Sequence, residues 1–303
     1  MRIHHLNCVS GCPIGGLLMD GVSKGSLRGR LATHCLLLET AHSLVLIDTG
    51  YGLRDVHDPR SRLAKPFLAM LRPDLREEMT AIRQIERLGF NPRDVREILL
   101  SHLDFDHAGG LDDFPEARVH LMADEILFAR ARRTPIDRMR YRPQQWGTEA
   151  HWHGHLAGYG EPWFGFASVR ALHGLRDDVL MLPLTGHTLG HAGIAVRGPD
   201  RWLLYAADAY FFHAELDADK PRCTPGLAAY QALMEKDRSA RLLNQRRLRE
   251  LKRDHGAEID IFCAHDVREF ERLSGRTLQE PAPATHVPAP RTNHPSTTAP
   301  ESS

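Results

Sequence analysis

The amino-acid sequence predicts an α/β fold in which two β-sheets pack face to face with helices on their outer faces. Three observations carry this expectation. Short apolar runs bounded by polar turns alternate with longer segments of helical spacing. The order is strands with interspersed helices in two similar halves. Single His or Asp residues stand directly after several apolar runs, as expected when the strands end at one cleft.

Residues 31–38 and 43–47 are apolar and flank a short polar turn, which suggests paired strands leading into Asp48-Thr49-Gly50. Asp74 starts a predicted helix, with Glu77 as its capping-box partner. Leu75, Met79, Ile82, Ile85 and Leu88 give it an apolar stripe, and Gly89 ends it. After the Asn91-Pro92 turn, Ile98-Leu99-Leu100 forms a buried strand ending at Ser101-His102. A strand over 118–122, a helix over 124–133 and strands over 179–184, 193–196 and 202–206 follow. Helices over 227–234 and 240–255 precede a final strand over 259–263.

Residues 138–163 are loop-like, rich in Arg, His and aromatic side chains, and suited to cover a cleft. Their His151, His153 and His155 lack a flanking strand, so a polar loop is expected there rather than a third metal site. The helices between 227 and 255 are a second candidate lid, and equally a candidate homodimer interface. Residues 1–279 form the expected folded body. From Glu280 to 303 the chain is Pro, Ala, Thr and Ser rich, too poor in apolar surface to offset its ordering entropy, and is expected to be disordered.

Composition narrows the function classes. Of 303 residues, 42% are hydrophobic and 26% charged, enough for a substantial core. Lys+Arg and Asp+Glu each number 39, so no global positive charge attracts nucleic acid or anionic lipid. The five cysteines are too few, and odd in number, for a disulfide framework. Cys8 and Cys12 have no matching second pair and are expected to be simple thiols. The first twenty residues do not read as a signal peptide, and no run approaches the ~18 apolar residues of a membrane span. A cytoplasmic protein acting on a small molecule is expected.

The chemistry concentrates in Ser101-His102-Leu103-Asp104-Phe105-Asp106-His107-Ala108-Gly109-Gly110. His102, Asp104 and Asp106 alternate with Leu103 and Phe105, so a turn leaving the strand aims the polar set into one cleft. His107 breaks the alternation and reaches toward a second ion, while the paired glycines let the backbone fold tightly behind. Imidazole and oxygen ligands suit Zn²⁺, Mn²⁺ or Fe²⁺. His187, Asp208 and His265 each follow a predicted strand and complete seven candidate ligands, enough for two ions.

These residues carry a family resemblance. His102-x-Asp104-x-Asp106-His107, Gly186-His187-Thr188, Asp208, His265 and the Asp48-Thr49-Gly50 turn resemble the ordered metal motifs of the metallo-β-lactamase superfamily over about residues 31–266. The resemblance implies an αββα sandwich with a dinuclear site, most often zinc, along its edge. His102, Asp104 and His187 would bind the first ion, Asp106, His107 and His265 the second, and Asp208 would bridge. His191 matches a packing position. Most of these families carry His where this chain has Asp104, and a harder carboxylate is expected to shift preference toward Fe²⁺ or Mn²⁺. Flavodiiron proteins also place a carboxylate there, but no flavodoxin-like segment follows.

Asp208 stands where true β-lactamases carry Cys or Ser, which argues against that activity. The outline is similar to the quorum-quenching N-acyl homoserine lactonases, with a long segment before His102 and Tyr210 close after Asp208. Their tyrosine sits one residue further on. The implied reaction is ester or lactone hydrolysis, because cations sharing a water lower its pKa from ~15.7 toward ~7. Asp106 would orient the hydroxide and carry its proton, and Tyr210 is a candidate donor to the oxyanion. An iron-dependent dioxygenase-like enzyme and a thioester hydrolase remain as alternatives.

Overall fold

The computed structural model describes residues 1–41, 43–157, 162–168 and 178–284. The first sheet joins β1 (Arg2–Asn7), β2 (His34–Glu39), β3 (Leu44–Ile47), β4 (Val95–Leu99), β5 (Arg118–Met122) and β6 (Trp152–His155) in sequence order. The second runs β10 (Ile259–Phe262), β9 (Trp202–Tyr205), β8 (Ala192–Arg197), β7 (Val179–Pro183). Both are mixed. β3, β4, β5 and β6 are parallel, as are β9 and β10, and the remaining pairs are antiparallel.

The period-2 alternation of strand side chains divides the core into layers. Leu36, Leu38, Val45, Ile47 and Leu99 point inward and meet Val179, Met181, Ile194, Val196, Tyr205 and Phe262 between the sheets. Leu37, Leu46, Ile98, Val119 and Leu121 point the other way, against Ile85, Leu88 and Ala129. Leu180, Leu182, Leu204, Ile259 and Ile261 pack under Leu248 and Leu251 of the helix Arg238–His255. The helix-sheet-sheet-helix order is the expected αββα sandwich. No helix among the described residues is long and apolar enough to cross a membrane.

Several expectations change. The helix expected from Asp74 begins only at Ala81, after a 3-10 turn over Glu77–Met79. Asp74 instead pairs with Arg76, and Glu77 with His57 and Arg83, so neither is free to cap. Residues 152–155, expected as loop, form β6, where His153 and His155 stack on His120 with centroids 5.4 and 5.3 Å apart. β1, Arg2-Ile3-His4-His5-Leu6-Asn7, carries no apolar alternation that predicts a strand. Ala282 is buried, its N–H on Gln84 and its carbonyl on Arg87, so the folded body extends past residue 279. The rest of the expected tail, from 285, lies outside the described residues.

The Asp48-Thr49-Gly50 turn straps down the loop that follows β4. Thr49 donates its amide and hydroxyl to His107 O at 2.8 and 2.9 Å, and Gly110 N donates back to Gly50 O. Gly50 sits at φ 64°, and a Cβ there would lie 2.2 Å from Cys8 Cβ. Gly50→Ala is expected to cost about 2–4 kcal/mol from left-handed strain plus overpacking, read by urea unfolding. An unchanged midpoint would show that the turn relaxes freely.

Candidate metal centre

Each candidate ligand follows a strand end, so the sandwich edge collects them. His102 to His107 follow β4, His187 follows β7, Asp208 follows β9 and His265 follows β10. The seven gather into two groups, His102, Asp104, His187 and Asp208, and beside them Asp106, His107 and His265. Asp208 faces both. Its Oδ2 lies 3.2 Å from His187 Nε2 and 3.8 Å from His102 Nε2. Its Oδ1 lies 3.1 Å from His265 Nε2 and 3.3 Å from His107 Nε2. Contacts of 3.0 to 3.4 Å also join Asp104 Oδ2 to His187 and His102.

Surrounding hydrogen bonds fix which imidazole nitrogen faces inward. His107 Nδ1 donates to Asp48 at 2.7 Å, His102 Nδ1 to Ser101 Oγ at 2.9 Å, and His265 Nδ1 to Ala32 O at 2.7 Å. That leaves each Nε2 lone pair aimed at the cluster. His191 donates to Leu184 O and accepts from Asp208 N at 3.0 Å, so it positions the backbone of the candidate bridging residue. Glu125 accepts from Leu103 N, Thr188 Oγ1 and Gly190 N, joining the two halves of the first group.

The electrostatics ask for cations. Asp48, Asp104, Asp106 and Asp208 are all buried, and Arg140 is the buried guanidinium beside them. Burial raises the Asp208 carboxyl, yet His265, His107 and His187 outweigh it and hold the group well below the usual carboxylate range. Burial would lower His107 and His265, but Asp208 raises both above an ordinary histidine. Burial, reinforced by Arg140, brings His187 down to about 4, which keeps it neutral. The buried atoms His102 Nε2, His107 Nε2 and Asp208 Oδ1 have no hydrogen-bond partner. Inward lone pairs around clustered carboxylates fit two divalent cations, which would satisfy orphans that are otherwise costly to bury.

Arg140 is the buried residue beside the candidate ligands that the sequence does not mark out. It is fully buried at the end of the helix Pro135–Arg140, and its Nε donates to Asp104 Oδ1 at 2.6 Å while Nη2 donates to Oδ2. Burial raises the Asp104 carboxyl, but Arg140, His102 and His187 together outweigh it and hold Asp104 well below the usual range. Nothing in the run Arg138, Arg140, Arg142 marks the middle residue; only the fold buries it.

Tyr210 does not face the cleft. Its hydroxyl donates to Glu269 at 2.9 and 3.1 Å, inside the apolar layer with Leu182 and Leu248. The cleft is lined instead by Tyr51, Tyr230, Phe211, Leu31 and Leu71 beside Asp106 and His265. Phe211 stacks on His265 with centroids 5.0 Å apart. Tyr230 comes from the helix Pro225–Met234, half of the expected lid, whereas Arg238–His255 is a structural layer of the sandwich. Burial raises the Tyr230 phenol well above its usual range, and Asp106, Asp104 and Asp208 add to it.

The chain belongs to the metallo-β-lactamase superfamily, whose model matches residues 28–253. It is a metallo-hydrolase of that superfamily. A probable metallo-hydrolase of Mycobacterium tuberculosis is 40% identical over 268 residues, spanning 88% of this chain and 80% of the relative. An N-acyl homoserine lactonase of Bacillus cereus is 32% identical over 125 residues, 40% of this chain and 50% of the relative. An N-acyl homoserine lactone hydrolase solved with N-hexanoyl-L-homoserine at its catalytic metal centre superposes with TM-score 0.65 at 21% identity, covering 92% of this chain and 97% of that one.

Glu269 supplies a test of the Tyr210 placement. Burial, with Asp266 adding, lifts its carboxyl from an ordinary 4.5 to about 8. The folded state therefore holds a proton that the unfolded state releases. The resulting stability is full below about pH 4.5 and is lost as pH rises through 8. Tyr210→Phe should cost about 1–3 kcal/mol by thermal melting while metal content stays unchanged. Glu269→Gln should flatten the fall in melting temperature between those pH limits; superimposable curves would refute the protonated carboxyl.

Proposed function

We propose that this chain hydrolyses an ester or lactone bond of a small molecule with two divalent ions, zinc in the first instance. The observation that carries it is the bridging geometry of Asp208, one oxygen toward each group of ligands. Ions held there would supply a hydroxide at neutral pH and polarise a carbonyl oxygen.

The chain's own residues do the rest. Asp106 lines the cleft, and burial raises its carboxyl despite His107 and His265, so its oxygens are suited to take a proton and pass it to a leaving alkoxide. Tyr230, in place of Tyr210, is the phenol suited to donate to the oxyanion or leaving group. Phe211, Leu31 and Leu71 give the cleft an apolar wall, suited to an acyl or alkyl portion of the substrate. The similarity to lactone-cleaving relatives supports the lactone form. Asp104 motivates the second reading, an iron-dependent redox centre.

Elemental analysis of purified protein, with lactone, ester and thioester panels on the same sample, separates these readings. Two zinc ions per chain with lactone or ester turnover are expected. Iron with no hydrolysis would overturn the hydrolase assignment in favour of redox chemistry. Asp208→Ala should lose both metal and activity, and full retention of either would remove the bridge. Tyr230→Phe should keep its metal and lose about 10²-fold in kcat. An unchanged kcat would exclude the phenol from the reaction.

A further inference from the structure

Asp104 brings a negative charge into the first group of candidate ligands, and Arg140 is its buried counter-charge. The guanidinium is fully buried and meets Asp104 as a two-pronged fork, Nε to Oδ1 and Nη2 to Oδ2. Its other N–H groups are also used. Nη1 donates to Met234 O at 2.8 Å and approaches His187 O at 3.4 Å, while Nη2 also reaches His187 Nε2 at 2.8 Å. Met234 ends its helix, so its carbonyl is one of the unpaired acceptors that a cation there satisfies.

The backbone holds this arrangement in register. Thr134 and Asp137 form a capping box that starts the short helix ending at Arg140. The next residue, Tyr141, makes an antiparallel bridge to Asp104 itself. The fork geometry needs a planar guanidinium, which an ammonium group does not provide. Asp104 Oδ2, though held by Arg140, still lies 3.0 Å from His187 Nε2 and 3.4 Å from His102 Nε2, within the ligand group.

We propose that Asp104 and Arg140 act as one unit, a neutral ligand pair that replaces an imidazole at the first metal position, with Arg140 as the positioning residue. This rests on the two-ion reading above. One negative and one positive charge cancel, so the position carries the net charge that histidine would give it. The carboxylate's expected push toward iron or manganese is thereby offset. Neither residue is replaceable alone. Histidine at 104 strands a buried guanidinium beside an ion, and an apolar residue at 140 frees the carboxylate to rotate and restores its full charge.

The test is zinc binding by chelator competition on the full chain, with circular dichroism to confirm folding. Wild type should bind two equivalents. Asp104→His should weaken one of them by at least about 10-fold, and Asp104→His with Arg140→Met should recover it. Arg140→Lys, which keeps the charge but loses the fork, should weaken the same equivalent and covers the case in which the other variants fail to fold. Two undiminished equivalents in Asp104→His or in Arg140→Lys would overturn the pairing, as would a folded double variant that does not recover. One equivalent in wild type and two in Arg140→Met would show that the guanidinium occupies the ion's place, and would also overturn it. Wild type binding no zinc would instead refute the two-ion reading itself. Two equivalents without lactone turnover would leave the pair standing and remove only the substrate assignment.

Discussion

The buried carboxylate of Asp48 is the joint on which both halves of the molecule meet. It leaves β3 in the left-handed region at φ 52°, a strained conformation for a residue with a side chain. Its two oxygens accept from Ser101 N at 2.7 Å, Ser101 Oγ at 2.6 Å, His107 Nδ1 at 2.7 Å and Tyr205 OH at 2.7 Å. Tyr205 belongs to β9 of the second sheet, while Ser101 and His107 follow β4 of the first. One side chain therefore ties the two sheets together and sets the tautomer of a candidate ligand, His107, between them. The strain is tolerated because four donors hold the carboxylate in place.

That joint explains why the cleft tolerates so much charge. Strands from both sheets end at the same edge and deliver acids and imidazoles to one small volume, where each acid raises the histidines near it. The arrangement has little reason to persist unless cations neutralise it. Arg140 extends the network outward. Through Met234 O it anchors the helix that carries Tyr230, so the charge at Asp104 and the wall of the cleft share a support.

How much of this was legible depended on whether the signal was local. The clustering of the candidate ligands was, because each sits directly after an apolar run and the alternation of His102, Asp104 and Asp106 is itself a geometric statement. The sandwich was, because Leu36 to Leu38 and Ile98 to Leu100 read as buried strands. Arg140 and Tyr230 were not, since the fold brings each to the candidate site across a long sequence separation, and Arg140 stands among the similar Arg138 and Arg142. Tyr210 was misplaced for the converse reason. Its nearness to Asp208 in sequence suggested a shared cleft, but the chain turns after Asp208 and sends the phenol into the layer beneath the helix Arg238–His255.

The two strands without a sequence signal, β1 and β6, are the outermost strands of the first sheet. Both lack an apolar rhythm. His4 leans on Glu39 and His5 on His34 in β1, while β6 is four residues long with Gly154 in its middle and His153 exposed. An open sheet border invites a further strand from another chain, and short, polar, interrupted strands are poor templates for it. The polarity that makes these strands hard to see thus also discourages edge-to-edge pairing with another chain. The border of the sheet is built to end the hydrogen-bonded array, and a run of Val or Ile in place of Trp152–His155 would turn a terminus into a seam for self-association.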